Sequence, residues 1–204
     1  MRIEAENPRS PKDIVLKTEE QAIIIKIFAA ARDLSFDCGK TVEKPNSVEE
    51  TISVLQRLKR GSCSAKHYLL GEQIESLGIE VSYLTFPFNW ADLEIDYPND
   101  LKTLLPKLPL QFHLCLGVNL GNQSCLLDAT WDQALGKHGF RVNEMDFLPC
   151  HQTLGVVPTE KPIVSQTAEE RWNYILSLKK TMARNEAVQP FYEGLNSWLQ
   201  SLRD

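Results

Sequence analysis

Three residues in this chain could do chemistry together. Cys63 stands in Gly61-Ser62-Cys63-Ser64-Ala65, where a glycine and a serine lead into a helical pattern. A thiol in the first turn of a helix lies near the positive end of the macrodipole and near unpaired backbone N–H groups. That position lowers the thiol pKa and favours the thiolate, the form that attacks a carbonyl carbon. His113 lies in the apolar run Leu110 to Val118, and Asp128 in the run Gln123 to Trp131. With Cys63 as nucleophile, His113 can take the thiol proton and later give one to a leaving group. Asp128 can fix the tautomer of His113 and stabilise its charged form.

Register arithmetic brings the last two together. Asn119-Leu120-Gly121-Asn122 reads as a four-residue turn between two strands, which pairs Val118 with Gln123 and places His113 directly opposite Asp128. Opposed residues share a face, with Cβ atoms about 5 Å apart. A loop of three or five residues would make the pair diagonal. Each residue has a blander role too: Cys63 as a small buried side chain, His113 as a satisfied core histidine, Asp128 as a turn cap. Their coincidence favours the site, because burying a histidine and an aspartate together without a task is costly.

A metal site is the competing chemistry. Cys63 and His67 are four apart on a helix, and His113 and Cys115 point to one face of a strand, so the four could hold zinc,. The spacing matches no familiar zinc motif, and His67 equally reads as a partly exposed helix residue.

The elements that must position these residues follow from caps and periodicity. Residues 1–17 read as a polar arm. Thr18-Glu19-Glu20-Gln21 has capping-box form and predicts a helix to about Leu34, with Ile23, Ile24, Ile27, Ala30, Ala31 and Leu34 inward,. The run Ala22 to Phe28 also fits a buried strand, but the cap favours the helix. Ser47-Val48-Glu49-Glu50 opens a second helix, with Val48, Ile52, Leu55 and Leu58 on one face,. Ser62 then caps the helix that begins at Cys63 and buries Ala65, Leu69, Leu70, Ile74 and Leu77, with Gly78 as its left-handed stop,. Ile79 to Phe86 alternates as a strand. The connection of about 25 residues that follows, with a short helix Leu101 to Lys107 capped by Asp100, has the length of a lid or binding loop. Phe140-Arg141-Val142 reads as a short strand. Thr167-Ala168-Glu169-Glu170 opens a helix to about Arg184, and a last helix, Ala187 to Leu202, carries Phe191, Leu195, Trp198, Leu199 and Leu202 at helical spacing.

Composition bounds the class. The chain has 204 residues, 43% of them hydrophobic and 24% charged, which suits one substantial core without long disorder,. The net charge of -5 and the lack of a Lys/Arg-rich run argue against nucleic acid,. No apolar stretch approaches the ~18 residues that span a bilayer, so no membrane partner is expected. The first residues carry acids and a proline where a signal peptide would have an apolar run. Five cysteines in no close-paired pattern read as reduced thiols of a cytoplasmic protein,.

From about Ser47 to Trp131 the chain resembles the transglutaminase-like superfamily, within the wider papain-like set of thiol enzymes. A helix precedes Gly61-Ser62-Cys63, which opens a second helix; Leu77-Gly78-Ile79 leads into a strand; His113 lies on a later strand and Leu127-Asp128-Ala129-Thr130 on the next. The resemblance implies that Cys63, His113 and Asp128 are a catalytic triad in this chain order. It implies an α+β fold in which the nucleophile helix packs on an antiparallel sheet, followed here by a helical C-terminal extension. A single domain results, with its core over about 19–158 and its last helices over about 165–204. Family members include cross-linking enzymes, peptidases, amidases and members without activity. The chain departs from the family at Cys115, where an aromatic is common, and at Ala129, where proline is common. It lacks the arginine-glycine-glycine approach of the arylamine N-acetyltransferases, which use a similar triad. The expected activity is acyl transfer from a peptide, protein or small amide through a Cys63 thioester, with no cofactor. A catalytically silent binding module is the alternative. The Cys63 backbone N–H is the expected oxyanion donor, Gln56 is a weak second candidate, and Tyr83, Trp90 and Trp131 are candidate pocket walls.

Overall fold

A computed structural model describes residues 18–39, 45–120, 123–145, 152–181 and 185–204. The expected arm over 1–17, the turn residues Gly121 and Asn122, and Arg184 lie outside them. Helix α1 (Thr18–Arg32) buries Ile24, Phe28 and Ala31, which recur once per turn. Ile23 and Ala30, expected inward, are exposed, because the large Phe28 side chain sets the buried face,.

After β1 (Ser35–Phe36), helix α2 (Val48–Leu58) starts at Ser47, whose Oγ accepts from the Glu50 N–H at 3.1 Å. The Glu50 carboxylate reaches back to the Asn46 N–H at 2.7 Å, so the capping box closes one residue further out than usual,. Val48, Ile52 and Leu55 are buried as expected, and Val54 joins them. Lys59, left-handed at φ 55°, turns the chain into β2 (Arg60–Gly61), which pairs in parallel with β1. Gly61 leaves no room for a side chain: a Cβ there would lie 2.8 Å from Leu55 Cδ1 and 3.1 Å from Ala65 Cβ.

Ser62 caps α3 (Cys63–Glu75) by accepting from the Ala65 N–H at 3.4 Å, which puts Cys63 at the first helical position. Gly78 ends the segment at φ 76°. Leu77, expected inward, is exposed because the helix stops before it.

The sheet is antiparallel, with strands β3 (Val81–Phe88), β4 (Gln111–Leu120), β5 (Gln123–Leu127) and β6 (Ile163–Ser165) in the order β5-β4-β3-β6. Between β3 and β4 a short helix, α4 (Asn99–Lys102), begins after Pro98 and is followed by a 3-10 turn, Leu105–Lys107. Asp100 therefore lies inside the first turn and is not the cap. Phe140 to Val142 is not a strand: Phe140 turns inward and packs on Trp131 with ring centroids 4.7 Å apart. Helix α5 (Ala168–Thr181) has the expected Thr167 cap, which accepts from the Glu170 N–H at 3.1 Å, and α6 (Val188–Arg203) ends the chain.

The fold is thus α+β, and it has two hydrophobic cores. The first joins α1, α2 and α3 to the sheet face of Val81, Tyr83, Leu114, Leu116 and Val118. The second is aromatic, and gathers Trp90, Tyr97, Leu101, Trp131 and Phe140 around Phe191, Leu195 and Leu199 of α6. Those three α6 side chains are fully buried, which stabilises the docked helix by roughly 5–9 kcal/mol at about 1.5–3 kcal/mol each,. Arg203 seals its end with bonds to both Asp132 oxygens, at 3.1 and 2.7 Å, and to the Phe36 carbonyl. The C-terminal helix is therefore part of the body of the molecule. No helix among the described residues is long and apolar enough to cross a membrane.

Candidate active site

Cys63, His113 and Asp128 come together at the seam between the two cores, by a route that differs from the register arithmetic. The hairpin loop is two residues, not four: Leu120 pairs with Gln123, Val118 with Cys125 and Leu116 with Leu127. β4 runs two residues into the stretch expected to turn, while β5 starts at Gln123 as expected, and the register shifts by two. A shift of two keeps every side chain on its face. Had β5 continued, Thr130 would face His113 and Asp128 would be its diagonal neighbour. Instead β5 stops at Leu127 and Asp128 folds back, its Oδ1 accepting from the Thr130 N–H at 3.1 Å. Its Oδ2 then meets His113 Nε2 at 2.8 Å.

With Nε2 committed to Asp128, Nδ1 is the ring nitrogen left for the Cys63 thiol, and the two side chains are hydrogen-bonded. Burial works against charge at all three groups and is overcome at all three. It pushes the Cys63 thiol up, but the His113 bond and charge, the Leu114 N–H and the Arg171 guanidinium bring it below its ordinary value. Burial pushes His113 down, and the Asp128 charge and bond, followed by those of Cys63, raise it to about 10. Burial also pushes Asp128 up, yet the His113 charge and bond and the Gly155 N–H hold it well below the carboxylate range. These shifts all favour the charged forms, a thiolate, an imidazolium and a carboxylate side by side,.

A polar scaffold sets this line. Asp128 Oδ2 also accepts from the Gly155 N–H at 2.7 Å, and the Asp128 N–H donates to Gln152 Oε1 at 2.7 Å. Asn143 donates to the Asp128 carbonyl at 2.9 Å and to the Thr153 carbonyl at 2.8 Å, tying the strand end to the following segment. His67 is fully buried: Nδ1 bonds the Cys63 carbonyl at 2.7 Å and Nε2 accepts from the Ala129 N–H at 2.9 Å. Accepting at Nε2 requires the neutral ring, and burial lowers the His67 pKa to about 4. Its 3.7 Å approach to Asp128 Oδ1 is therefore not an ion pair. His67 braces the start of α3 against the segment that carries Asp128. Lys66, also fully buried, donates to the Arg32 and Thr130 carbonyls at 2.8 and 2.7 Å.

The expectation of a partly exposed His67 is thus corrected. Its two nitrogens are both engaged by backbone, which leaves no lone pair for zinc. Among the described residues no group of three or more His, Cys, Asp or Glu side chains is arranged to hold a metal ion. The signal for Lys66 and His67 was present in the sequence: both fall on the buried side of an otherwise apolar helix. Arg171 was readable in the same way, since it stands on the inward stripe of α5 with Ala168, Trp172 and Ile175.

A pocket of about 320 Å³ opens on Cys63 and His113, with Trp90, Trp131, Phe88 and Tyr192 among its walls. Tyr83 does not line it; that ring is buried in the first core, with its hydroxyl on Glu75. A neighbouring pocket of about 550 Å³ lies between α2 and α5 and shares Ser62, Ser64, Arg171 and Ile175 with the first. Gln56 is exposed on α2 and lines neither. The two pockets form one apolar cleft that runs past the start of α3. Compared with protein-family models, with curated proteins and with solved structures, the chain matches none.

Proposed function

We propose that this chain is a thiol-dependent acyltransferase or hydrolase acting on an amide bond, built on a papain-like core of the transglutaminase-like type. The observation that carries the reading is the line from Cys63 through His113 to Asp128, in which each neighbour favours the charged form of the next. A helix-start cysteine, a strand histidine and a carboxylate at the next strand end, in that chain order, support the fold-level part.

The chemistry follows from the geometry. The Cys63 sulfur attacks the amide carbon, and the developing oxyanion lies near the Cys63 N–H, which has no intrahelical acceptor at the first helical position. The imidazolium of His113 gives its proton to the leaving nitrogen as the C–N bond breaks, leaving a Cys63 thioester and a neutral ring. His113 then takes a proton from water or an amine as that nucleophile attacks the thioester, and the C–S bond breaks. Asp128 stays ionised and holds the ring in place throughout.

Labelling with iodoacetamide at pH 6, assigned to individual cysteines by mass spectrometry, tests the reading. Cys63 should react fastest, and His113→Ala should remove its advantage. Labelling of Cys63 no faster than Cys38 or Cys125 would favour a silent binding module that keeps the fold.

A further inference from the structure

Arg171 is 3% exposed, and its bonding is incomplete. Nε donates to Thr85 Oγ1 at 3.3 Å, Nη1 donates to the Tyr68 hydroxyl at 3.0 Å, and the guanidinium lies 5.7 Å from the Tyr68 ring centre. Both acceptors are neutral. Among the described residues no hydrogen bond from Nη2 and no carboxylate within 4.0 Å of the guanidinium is found, and Nη2 is not one of the enclosed atoms left without a partner, so it stays open to the cleft. Yet the side chain lines both pockets of the cleft, at the partition they share beside Ser64. A guanidinium buried without a counter-ion is costly.

Arg171 lines the same pocket as Cys63, and its charge favours the thiolate form there. With the thiolate formed, the charges at the site close: Asp128 balances His113, and Cys63 balances Arg171. Acylation upsets this balance. When the thiolate attacks the carbonyl, the C–S bond forms, the C–N bond breaks and the amine leaves with the His113 proton. The sulfur becomes a neutral thioester. His113 is then neutral beside a charged Asp128, and Arg171 is left without an anion in the pocket it shares with Cys63, which no carboxylate among the described residues lines. A leaving group cannot restore that anion, because it departs. The acyl portion can.

We propose that the acyl group transferred by Cys63 carries its own carboxylate, which seats on Arg171 in the cleft. The substrate class is an amide whose acyl side is acidic, with the carboxylate a short apolar spacer from the reacting carbonyl. Asp37 and Arg60, which line the wider pocket, face each other at 3.6 Å and offset one another, so Arg171 dominates at the partition. This inference rests on the proposed thiol chemistry at Cys63.

Two alkylating reagents of one shape test it. Iodoacetate and iodoacetamide each lose iodide to sulfur and leave a carboxymethyl or a carbamidomethyl group where the acyl group would sit. At pH 6, iodoacetate should label Cys63 faster relative to iodoacetamide than it labels free cysteine. Arg171→Gln should lower that ratio about tenfold, the order expected of one partly screened charge; because both reagents attack the same thiolate, the ratio cancels any change in thiolate fraction that follows from losing Arg171. Arg171→Lys should keep most of the preference. In the unmutated chain, the Cys63-carboxymethylated form should melt about 2–4 °C above the carbamidomethylated form, a shift of the size one regained ion pair produces in a chain of this length. An unchanged ratio in folded Arg171→Gln overturns the proposal. If that variant does not fold, equal or reversed melting temperatures of the two alkylated forms overturn it, and the expected order supports it. Failure of both reagents to label Cys63 at pH 6 instead removes the thiol reading beneath it.

Discussion

Replacing His67 by phenylalanine separates a brace from a bystander. The ring volume is nearly kept, so the change removes two nitrogens and little packing. The Ala129 N–H loses its only acceptor in a fully buried setting, which costs about 1–3 kcal/mol. The Cys63 carbonyl keeps its intrahelical bond and loses the second, worth about 1 kcal/mol,. At pH 7 the variant should therefore be less stable by about 2–4 kcal/mol in urea unfolding. That gap should not persist in acid. In the folded chain His67 takes a proton only below about pH 4, and in the unfolded chain below about 6.5,. Between those values the unfolded state binds more protons, so the parent loses stability as pH falls through the window. The loss reaches about 3 kcal/mol at pH 4, and phenylalanine does not share it. The two chains should converge to within about 1 kcal/mol at pH 4. A gap that stays constant from pH 7 to pH 4 would refute the neutral, doubly bonded His67. Iodoacetamide labelling of Cys63 at pH 7 adds an independent readout, since a helix released from Ala129 should react more slowly.

Three further outcomes follow from the same geometry. Asp128→Asn removes the charge that holds His113 protonated, so Cys63 labelling at pH 6 should fall about 10–100-fold, with unfolding curves to show that the fold survives. Lys66 is pushed down to about 7 by burial and sits near 10.5 when unfolded; the unfolded state binds more protons between those values, so the parent gains stability as pH rises. The measured cost of Lys66→Met should grow by about 3 kcal/mol from pH 7 to pH 10; a constant cost would show that Lys66 stays charged across that range in the folded chain, as it does in the unfolded one, and that burial does not depress it. Gly71→Ala would push a Cβ against the Tyr83 ring, 3.0 Å from Cζ and 3.1 Å from Cε1. Urea unfolding should report a loss of about 1–3 kcal/mol, and Tyr83→Phe in the same chain should return part of it.

Much of this site could be read from the residues in order. The Ser62 cap, the start of α3 at Cys63 and the meeting of His113 with Asp128 all follow from local rules. The hairpin register did not, because Asn119 and Leu120 look like turn residues and are ladder residues. The error was harmless to the contact because a slip of two keeps the faces. Where the prediction failed, a single bulky side chain or an early helix end decided the outcome. Phe28 displaced Ile23 from the buried face of α1, and Leu77 fell beyond the end of α3. What lay beyond local rules was long-range. Nothing near Asp128 announces Asn143 or Gly155, and nothing near Cys63 announces α6. Those partners exist only once distant segments have met.

The aromatic core has a consequence for biosynthesis. The chemical groups of the site are made first and its enclosure last. At about 5–20 residues per second, synthesis from Asp128 to Arg203 takes on the order of 4–15 s. Early in that interval a nascent chain holds Cys63 and His113 but lacks the α5 side chains Arg171 and Ile175, and until late in it the chain also lacks the α6 side chain Tyr192 that walls the pocket. A half-made chain thus carries the thiol without the full cleft around it. Arg203, which clasps Asp132 and Phe36 beside the pocket, fastens the enclosure only after α6 has been made.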